Sequence, residues 1–306
     1  MQNQTPEKWW EVAVVCPTAL EDSVYWAFDR LGSKGTASQR EGDRRLVTAY
    51  FPQVQFSESD LAQLKAELHQ SVDTALQVSW RAIDNEDWAK SWKVHWQPEE
   101  VGDRLLINPA WLEPPTTQRV ILTLDPGSAF GTGAHATTRL CLEALEKQAV
   151  AGATVADIGC GSGILSIVAA LYGAKQIYAT DVDPLAVSAT RSNAALNGID
   201  ESTIQVGLGS LPEAIAMAKQ ADSLPVDGLV DGIVCNILAE IIIGLILPQL
   251  SELAGPNTWC ILSGILTSKA DWVEEHLIAF GWQVVETAHL EEWCAMTIRL
   301  ADRPPG

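Results

Sequence analysis

Basic side chains are scarce in this chain. Its 306 residues include 20 Lys and Arg against 39 Asp and Glu, a formal net charge of −19. A general nucleic-acid binder needs a basic surface to neutralise phosphates, so the balance argues against that class and favours a basic protein partner. The deficit is uneven: residues 1–84 carry 8 basic and 12 acidic side chains, whereas residues 85–306 carry 12 and 27.

Long apolar runs are missing as well. The longest, residues 241–247, ends at Pro248 and is far shorter than the roughly 20 residues of a membrane-spanning helix. The N-terminal MQNQTPEKWWEV lacks the basic start and apolar stretch of a signal peptide. We therefore expect a cytoplasmic protein that makes no membrane contact, and we expect it to be a monomer.

Metal-binding cysteine patterns are also absent. The six cysteines form no CxxC pair and have no neighbouring His at zinc spacing. We therefore predict buried, reduced thiols and no metal site.

The first 84 residues alternate strand-like and helix-like stretches in the order βαββαβ, which predicts a small α+β domain of the ferredoxin-like kind. Residues 85–98 place Trp88, Trp92 and Trp96 four apart, so on a helix they form one stripe that we interpret as a linker. From about residue 154 strands and helices alternate, with a helix predicted over 239–253 and the fifth strand over 259–263. This alternation predicts that residues 99–306 form a domain with a doubly wound parallel sheet. The predicted elements of the leading domain are strands at 10–16, 34–39, 46–51 and 78–83 and helices at 19–31 and after Ser57 or Ser59.

A glycine-rich turn is the strongest motif. In VADIGCGSGILSI a strand ends at Ile158, Gly159, Gly161 and Gly163 follow, and a helix begins. Such a loop lets a ligand approach the backbone and the helix N-terminus closely. A dinucleotide fingerprint would need glycine where Ile164 stands, so GxGxG after an acidic residue instead resembles the first motif of class I S-adenosylmethionine-dependent methyltransferases.

Two further strand ends carry polar side chains. Asp181 ends the second predicted strand of this domain, where a carboxylate accepts hydrogen bonds from ribose hydroxyls, and Asp183 before Pro184 predicts a helix cap. Asn236 follows the fourth strand in CNILAE, without the two prolines and the aromatic residue that enzymes gripping planar amines carry there. A flexible, tetrahedral amine is therefore the better acceptor.

The segment LDPGSAFGTGAHATTRLCLEAL, residues 124–145, predicts a glycine-rich lid followed by a helix. Gly127, Gly131 and Gly133 make the loop, His135 is its imidazole, and Thr137 or Thr138 is expected to open the helix. For Thr138, a simple cap and a cofactor contact both remain open.

Together DPGSAFGTGAHATT, DIGCGSG, TDVDP, CNILAE, LSGIL and EEWCAMTIRL resemble the ribosomal protein L11 methyltransferase family, over residues 87–300. The resemblance implies a class I, Rossmann-like methyltransferase domain after the small leading domain. It implies methyl transfer from S-adenosylmethionine to lysine ε-amines and the N-terminal α-amine of ribosomal protein L11. It also implies cofactor contacts at Thr138, Gly159, Asp181 and Asn236. Ala136 departs from the family, which usually has proline there.

From this reasoning the catalytic candidates are the Asn236 side chain and the Ile237 carbonyl, and the cofactor candidates include Gly161 and Gly163 beside those four. Residues 1–84 are expected to choose the substrate. Two alternatives stay open: a class I N-methyltransferase for another protein or a small amine, and a non-catalytic adaptor that retains the fold.

Overall fold

The computed structural model describes residues 8–33, 36–42, 44–71, 76–84, 96–125, 133, 135–220 and 228–301. The chain forms two compact units, Met1–Gln97 and Pro98–Gly306. The linker helix expected at 85–98, with Trp88 and Trp92, falls almost wholly outside the described residues and stays a prediction. The division of the chain into domains at residues 84 and 98 also stays a prediction.

The first unit is an antiparallel sheet covered on one face by two helices. Its strand order is β2-β3-β1-β4. Val12 and Val14 alternate along β1 toward the helices and pack with Phe28, Leu61 and Leu64, because a strand turns every second side chain to the same face. The elements are β1 (Lys8–Pro17), α1 (Glu21–Leu31), β2 (Thr36–Glu41), β3 (Arg44–Pro52), α2 (Glu58–Ser71) and β4 (Gln77–Asp84).

The second unit is built on a seven-stranded sheet in the order β10-β9-β8-β11-β12-β14-β13. The first five strands in this order are parallel, and β14 runs antiparallel to both of its neighbours. The predicted α/β fold with a doubly wound parallel sheet is confirmed. The strands are β8 (Thr154–Ile158), β9 (Gln176–Asp181), β10 (Ile204–Leu208), β11 (Val230–Asn236), β12 (Ala254–Leu266), β13 (Trp282–Leu290) and β14 (Trp293–Leu300).

Helices cover both faces of this sheet, so its central strand β8 is buried on both sides. Along β8, Val155 packs into the core beneath one layer of helices, and Ala156 and Ile158 pack into the core beneath the other. The helices are α3 (Ala136–Glu146), α4 (Ile164–Leu171), α5 (Pro184–Leu196), α6 (Leu211–Lys219), α7 (Ala239–Ile241), α8 (Leu247–Leu250) and α9 (Ala270–Ala279).

A small sheet precedes the large one in sequence. It consists of β5 (Glu99–Val101), β6 (Leu105–Pro109) and β7 (Val120–Leu124), with β5 antiparallel and β7 parallel to β6. Ile107 and Leu122 pack into the same core as α4, which holds β7 close to the large sheet.

The helix predicted over 239–253 is interrupted. After α7 the chain forms a π-helical stretch, Ile242–Ile246, before α8 begins. Pro248 supplies a reason, because proline donates no backbone hydrogen bond to the turn before it. The last parallel strand also begins five residues before its predicted start at 259, since Val230 already pairs with Ala254.

Within the described ranges no helix is long and apolar enough to cross a membrane.

Candidate active site

The strand order reverses between β8 and β11, and in open α/β sheets ligands bind at the carboxyl ends of strands at such a point. β8 ends at Ile158 and β11 ends at Asn236. Gly159, Gly161 and Gly163 follow β8 with φ of 78°, 55° and 82°, the left-handed region that glycine alone adopts readily. The glycine loop therefore enters this crevice.

The glycine loop is tied to the end of β9. The backbone N–H groups of Gly159 and Cys160 donate to the carbonyl of Thr180 at 2.8 and 3.0 Å. The N–H of Gly161 donates to Oδ2 of Asp181 at 2.9 Å. Two of the predicted cofactor residues, Gly161 and Asp181, are thus in direct contact.

Asp181 serves both neighbouring loops. Its Oδ1 accepts a hydrogen bond from the backbone N–H of Asp183 at 2.9 Å, while Oδ2 binds Gly161. Each carboxylate oxygen has two acceptor sites, so capacity for ribose hydroxyls remains. Asp183 caps α5 by accepting from the N–H of Leu185 at 2.9 Å, which confirms the predicted cap.

Asn236 meets Thr138 across the crevice. The Asn236 amide nitrogen Nδ2 donates to Oγ1 of Thr138 at 3.4 Å, and Thr138 is fully buried in α3. The structure therefore brings together the third strand-end residue and the lid threonine, which lie 98 positions apart in the sequence.

Ile237 lies between two glycines. A Cβ on Gly159 would come within 2.5 Å of the Ile237 side chain, and a Cβ on Gly264 within 2.1 Å of the Ile237 carbonyl oxygen. Gly264 itself has a φ of 80° and sits where the ladder between β12 and β14 shifts register. Glycine at both positions gives Ile237 its room, and its carbonyl faces Gly264. The role of this carbonyl toward an amine stays a prediction.

The structure corrects the predicted start of the lid helix. α3 begins at Ala136, and His135, not a threonine, is its N-cap. The His135 Nδ1 atom accepts from the Thr137 N–H at 3.3 Å and lies 2.8 Å from the Thr137 hydroxyl, while the ring packs edge-on against Trp293. An imidazole nitrogen accepts the hydrogen bond that a side-chain oxygen usually accepts at a helix cap. Thr138 is therefore not needed as the cap, and its hydroxyl faces Asn236. Gly127 and Gly131 lie outside the described residues.

Asp157 is a buried acid to which the sequence alone assigned no role. It lies at the end of β8, and its Oδ2 accepts from the hydroxyl and the N–H of Ser166 at 2.6 and 3.1 Å. Its Oδ1 is buried without a hydrogen-bond partner. Burial, opposed by the two Ser166 bonds and assisted by the nearby charge of Asp181, raises the pKa of Asp157 to about 7. The acid before the glycine motif was the available sequence signal.

The cysteines and acids form no metal site among the described residues, where no group of three or more His, Cys, Asp or Glu side chains is arranged around one point. All six cysteines are free and buried, as predicted. Burial raises the pKa of Cys141 to about 12, which keeps this thiol protonated at neutral pH.

Comparisons with known proteins show the family of this chain. The family model of ribosomal protein L11 methyltransferases matches residues 8–301. A ribosomal protein L11 methyltransferase of Synechococcus elongatus is 47% identical over 295 residues, covering 95% of this chain and 96% of that protein. One of Thermosynechococcus vestitus is 43% identical over 309 residues, covering 97% and 99%.

A solved structure agrees with these sequence matches. The crystal structure of a ribosomal protein L11 methylase from Lactobacillus delbrueckii subsp. bulgaricus is 33% identical, with a TM-score of 0.59, and covers 68% of this chain and 100% of that one. In the present structure the glycine loop directly follows β8, Asp181 ends β9 and Asn236 ends β11. The chain belongs to the ribosomal protein L11 methyltransferase family.

Proposed function

We propose that this protein binds S-adenosylmethionine at the carboxyl ends of β8, β9 and β11 and transfers its methyl groups to amines of ribosomal protein L11. The observation that carries the proposal is a pair of contacts at the carboxyl ends of neighbouring strands, Gly161 with Asp181 and Asn236 with Thr138. They lie where the strand order reverses or beside it, in a member of this family. The cofactor, when bound, supplies an activated methyl group on a sulfonium.

The cofactor residues have separate proposed roles. Gly159, Gly161 and Gly163 bring the backbone close to the ligand. A Cβ on Gly159 or Gly163 would collide with Ile237 or Thr190, and all three glycines have the left-handed φ that side chains disfavour. Asp181 accepts the ribose hydroxyls while it holds Gly161 in place. Thr138 closes the opposite side of the crevice through its contact with Asn236.

The acceptor amine requires help from the protein. A lysine with a pKa near 10.4 is uncharged at pH 7 in only about one molecule in 2,500, a deficit of roughly 5 kcal/mol. Burial next to a sulfonium lowers that pKa, and fixed acceptors orient the neutral amine for in-line attack. Because the Asn236 nitrogen binds Thr138, its Oδ1 is our candidate acceptor, with the Ile237 carbonyl as the second.

Residues 1–84, within the leading unit, are proposed as the substrate-recognition domain in a ferredoxin-like arrangement. Its antiparallel sheet carries helices on one face and contains none of the cofactor motifs. The net charge of −19 favours a basic protein substrate in place of nucleic acid. We further propose that the enzyme acts as a cytoplasmic monomer without membrane contact.

The remaining candidates are methylation of a different protein or a small amine, and a catalytically silent adaptor. Incubation of the enzyme with S-adenosylmethionine and purified L11, followed by intact-mass and peptide mass spectrometry, separates them. We expect mass increments on lysines and on the N-terminal amine of about 14 Da per methyl group, because each transfer replaces a hydrogen by a methyl group. Cofactor binding without transfer to L11 would favour another substrate, and no binding would favour the adaptor.

A further inference from the structure

One face of α5 and of the residue after it carries three polar side chains. Thr190, Asn193 and Asn197 are spaced by three and four positions, which places them on one side of a helix. Thr190 and Asn193 are buried, at 0% and 1% exposure, although neither lies in a motif of the family resemblance. Buried polar side chains need partners, and theirs lie in two different parts of the site.

The first part is the glycine loop. The Thr190 hydroxyl donates to the carbonyl of Gly161 at 3.0 Å, and Nδ2 of Asn193 donates to the carbonyl of Ser162 at 2.9 Å. A Cβ on Gly163 would come within 3.0 Å of Thr190, so the loop also packs tightly against α5. The Asn193 bond is buried away from water, which strengthens it.

The second part is strand β7, at the edge of the small sheet. The backbone N–H of Asp125 donates to Oδ1 of Asn193 at 3.0 Å. The Asn197 amide binds both backbone groups of Thr123, accepting from its N–H at 2.8 Å and donating to its carbonyl at 2.7 Å. The side-chain amides of Asn193 and Asn197 thus make, at the edge of the small sheet, the backbone hydrogen bonds that a further strand beside β7 would make.

Asn193 alone of these residues contacts both parts. Asp125 begins the DPGSAFGTG sequence, and the described residue at its other end, Gly133, also lies beside the loop, because a Cβ there would be 3.2 Å from the Ile164 side chain. An amide is planar and rigid, so its oxygen follows its nitrogen. A shift of Ser162 therefore moves the acceptor that Asp125 uses.

We propose that Asn193 is a positioning residue that couples cofactor binding at the glycine loop to the placement of Asp125, the start of the segment leading to Thr138. The inference rests on the proposed cofactor site. A ligand that orders the glycine loop fixes the Asn193 Nδ2 atom through its bond to Ser162. It thereby strengthens the hydrogen bond that Asn193 Oδ1 accepts from the Asp125 N–H. By linkage, loss of that hold weakens ligand binding equally.

The test compares Asn193→Ala with the matched control Asn197→Ala in the full chain. S-adenosylhomocysteine is the probe, and three quantities are measured: its Kd by calorimetry, the melting temperature without ligand, and hydrogen exchange at the Asp125 amide with and without ligand. We expect Asn193→Ala to raise Kd about tenfold, within the usual range of site coupling, and to abolish ligand-induced protection of Asp125. Asn197→Ala should lower the melting temperature but keep Kd within about twofold, well under one tenfold step of 1.4 kcal/mol.

Two results overturn the coupling. One is a Kd that rises in both variants in proportion to the fall in melting temperature, which makes Asn193 a structural residue. The other is retained protection of Asp125 in Asn193→Ala. If alanine prevents folding, Asn193→Ser replaces it, since one short hydroxyl cannot bind Ser162 and Asp125 together. A wild-type protein that binds no S-adenosylhomocysteine contradicts the proposed function itself, which is a separate outcome.

Discussion

At the scale of single residues, Asp181 carries two duties in one carboxylate. It holds the N–H groups of Gly161 and Asp183, and it is the proposed ribose acceptor. Asp181→Ala removes the loop contact together with two charge-assisted hydrogen bonds to ribose, so affinity for S-adenosylhomocysteine should fall by on the order of 3 kcal/mol, or more than 100-fold. Isothermal titration calorimetry measures the loss.

The neighbouring acid Asp183 provides the matched control for Asp181. Asp183→Ala removes the cap of α5 and should cost about 1 kcal/mol of unfolding free energy while leaving affinity for S-adenosylhomocysteine nearly unchanged. Equal affinities for the wild type and Asp181→Ala would exclude the ribose assignment.

Asn236 is proposed to act on the acceptor amine as well as on the cofactor. Asn236→Ala should therefore lower kcat for L11 methylation at saturating S-adenosylmethionine by more than it weakens cofactor binding, because an oriented amine matters most in the transition state. Steady-state kinetics give kcat, and calorimetry gives the Kd for comparison. Full recovery of turnover at high cofactor concentration would reduce Asn236 to a binding residue.

Asp157 makes stability depend on pH. Its pKa of about 7 in the folded protein exceeds the usual value near 3.9, so between those two pH values the folded state keeps a proton that the unfolded state has released. The free energy of unfolding should therefore fall as pH rises from about 4 to about 7, by on the order of 4 kcal/mol, and then level off.

The variant Asp157→Asn tests this assignment. It has no proton to lose, so its free energy of unfolding should rise relative to that of the wild type as pH rises. Denaturant unfolding at several pH values measures this difference. Parallel curves for the two proteins across this range would show that Asp157 is ionised throughout.

At the scale of elements, the segment after β11 depends on glycine in its neighbour β12. Gly264→Ala puts a methyl group within 2.1 Å of the Ile237 carbonyl oxygen, so residues 236–238 must move. We expect a loss of about 1–2 kcal/mol in unfolding free energy from the left-handed backbone alone, a further loss from the collision, and at least a tenfold fall in methyl transfer. Chemical denaturation and an L11 methylation assay measure the two effects.

Gly281→Ala separates backbone strain from collision. Gly281 has a φ of 82°, close to the 80° of Gly264, but nothing lies within 4 Å of a Cβ placed there. This variant should lose the strain energy and keep its turnover. Similar turnover in the two variants would mean that the Ile237 segment tolerates displacement and has no fixed role in the site.

At the scale of the whole molecule, each unit has a hydrophobic core formed from its own residues. The cofactor motifs all lie in Pro98–Gly306, whereas the leading unit is proposed to recognise the substrate. A chain beginning at Asp84 should bind S-adenosylhomocysteine with the full-length Kd but lose most methylation of intact L11. Calorimetry and mass spectrometry measure both.

Short amine substrates complete that experiment. A free lysine peptide needs no docking domain, so the truncated and full-length proteins should methylate it at similar low rates. Methylation of intact L11 by the truncated chain at the full-length rate, with the same sites, would contradict the proposed division of labour.

The sequence by itself determined the strand ends and the family. Glycine at 159, 161 and 163 and acid at 181 report local backbone and side-chain chemistry, which a linear pattern preserves, and Asp183 before Pro184 is a cap for the same reason. Alternation of strands and helices was enough for the parallel sheet, because each strand and its helix are neighbours in sequence.

Tertiary structure alone decided the long-range contacts. The hydrogen bond between Asp125 and Asn193 spans 68 positions and that between Asn236 and Thr138 spans 98, and neither leaves a periodic trace in the sequence. His135, in place of a threonine, is the helix cap. Glycine is required at position 264 because the Ile237 carbonyl packs against it. Such choices depend on which atoms folding brings within a few ångströms, and composition and spacing carry no information about that distance.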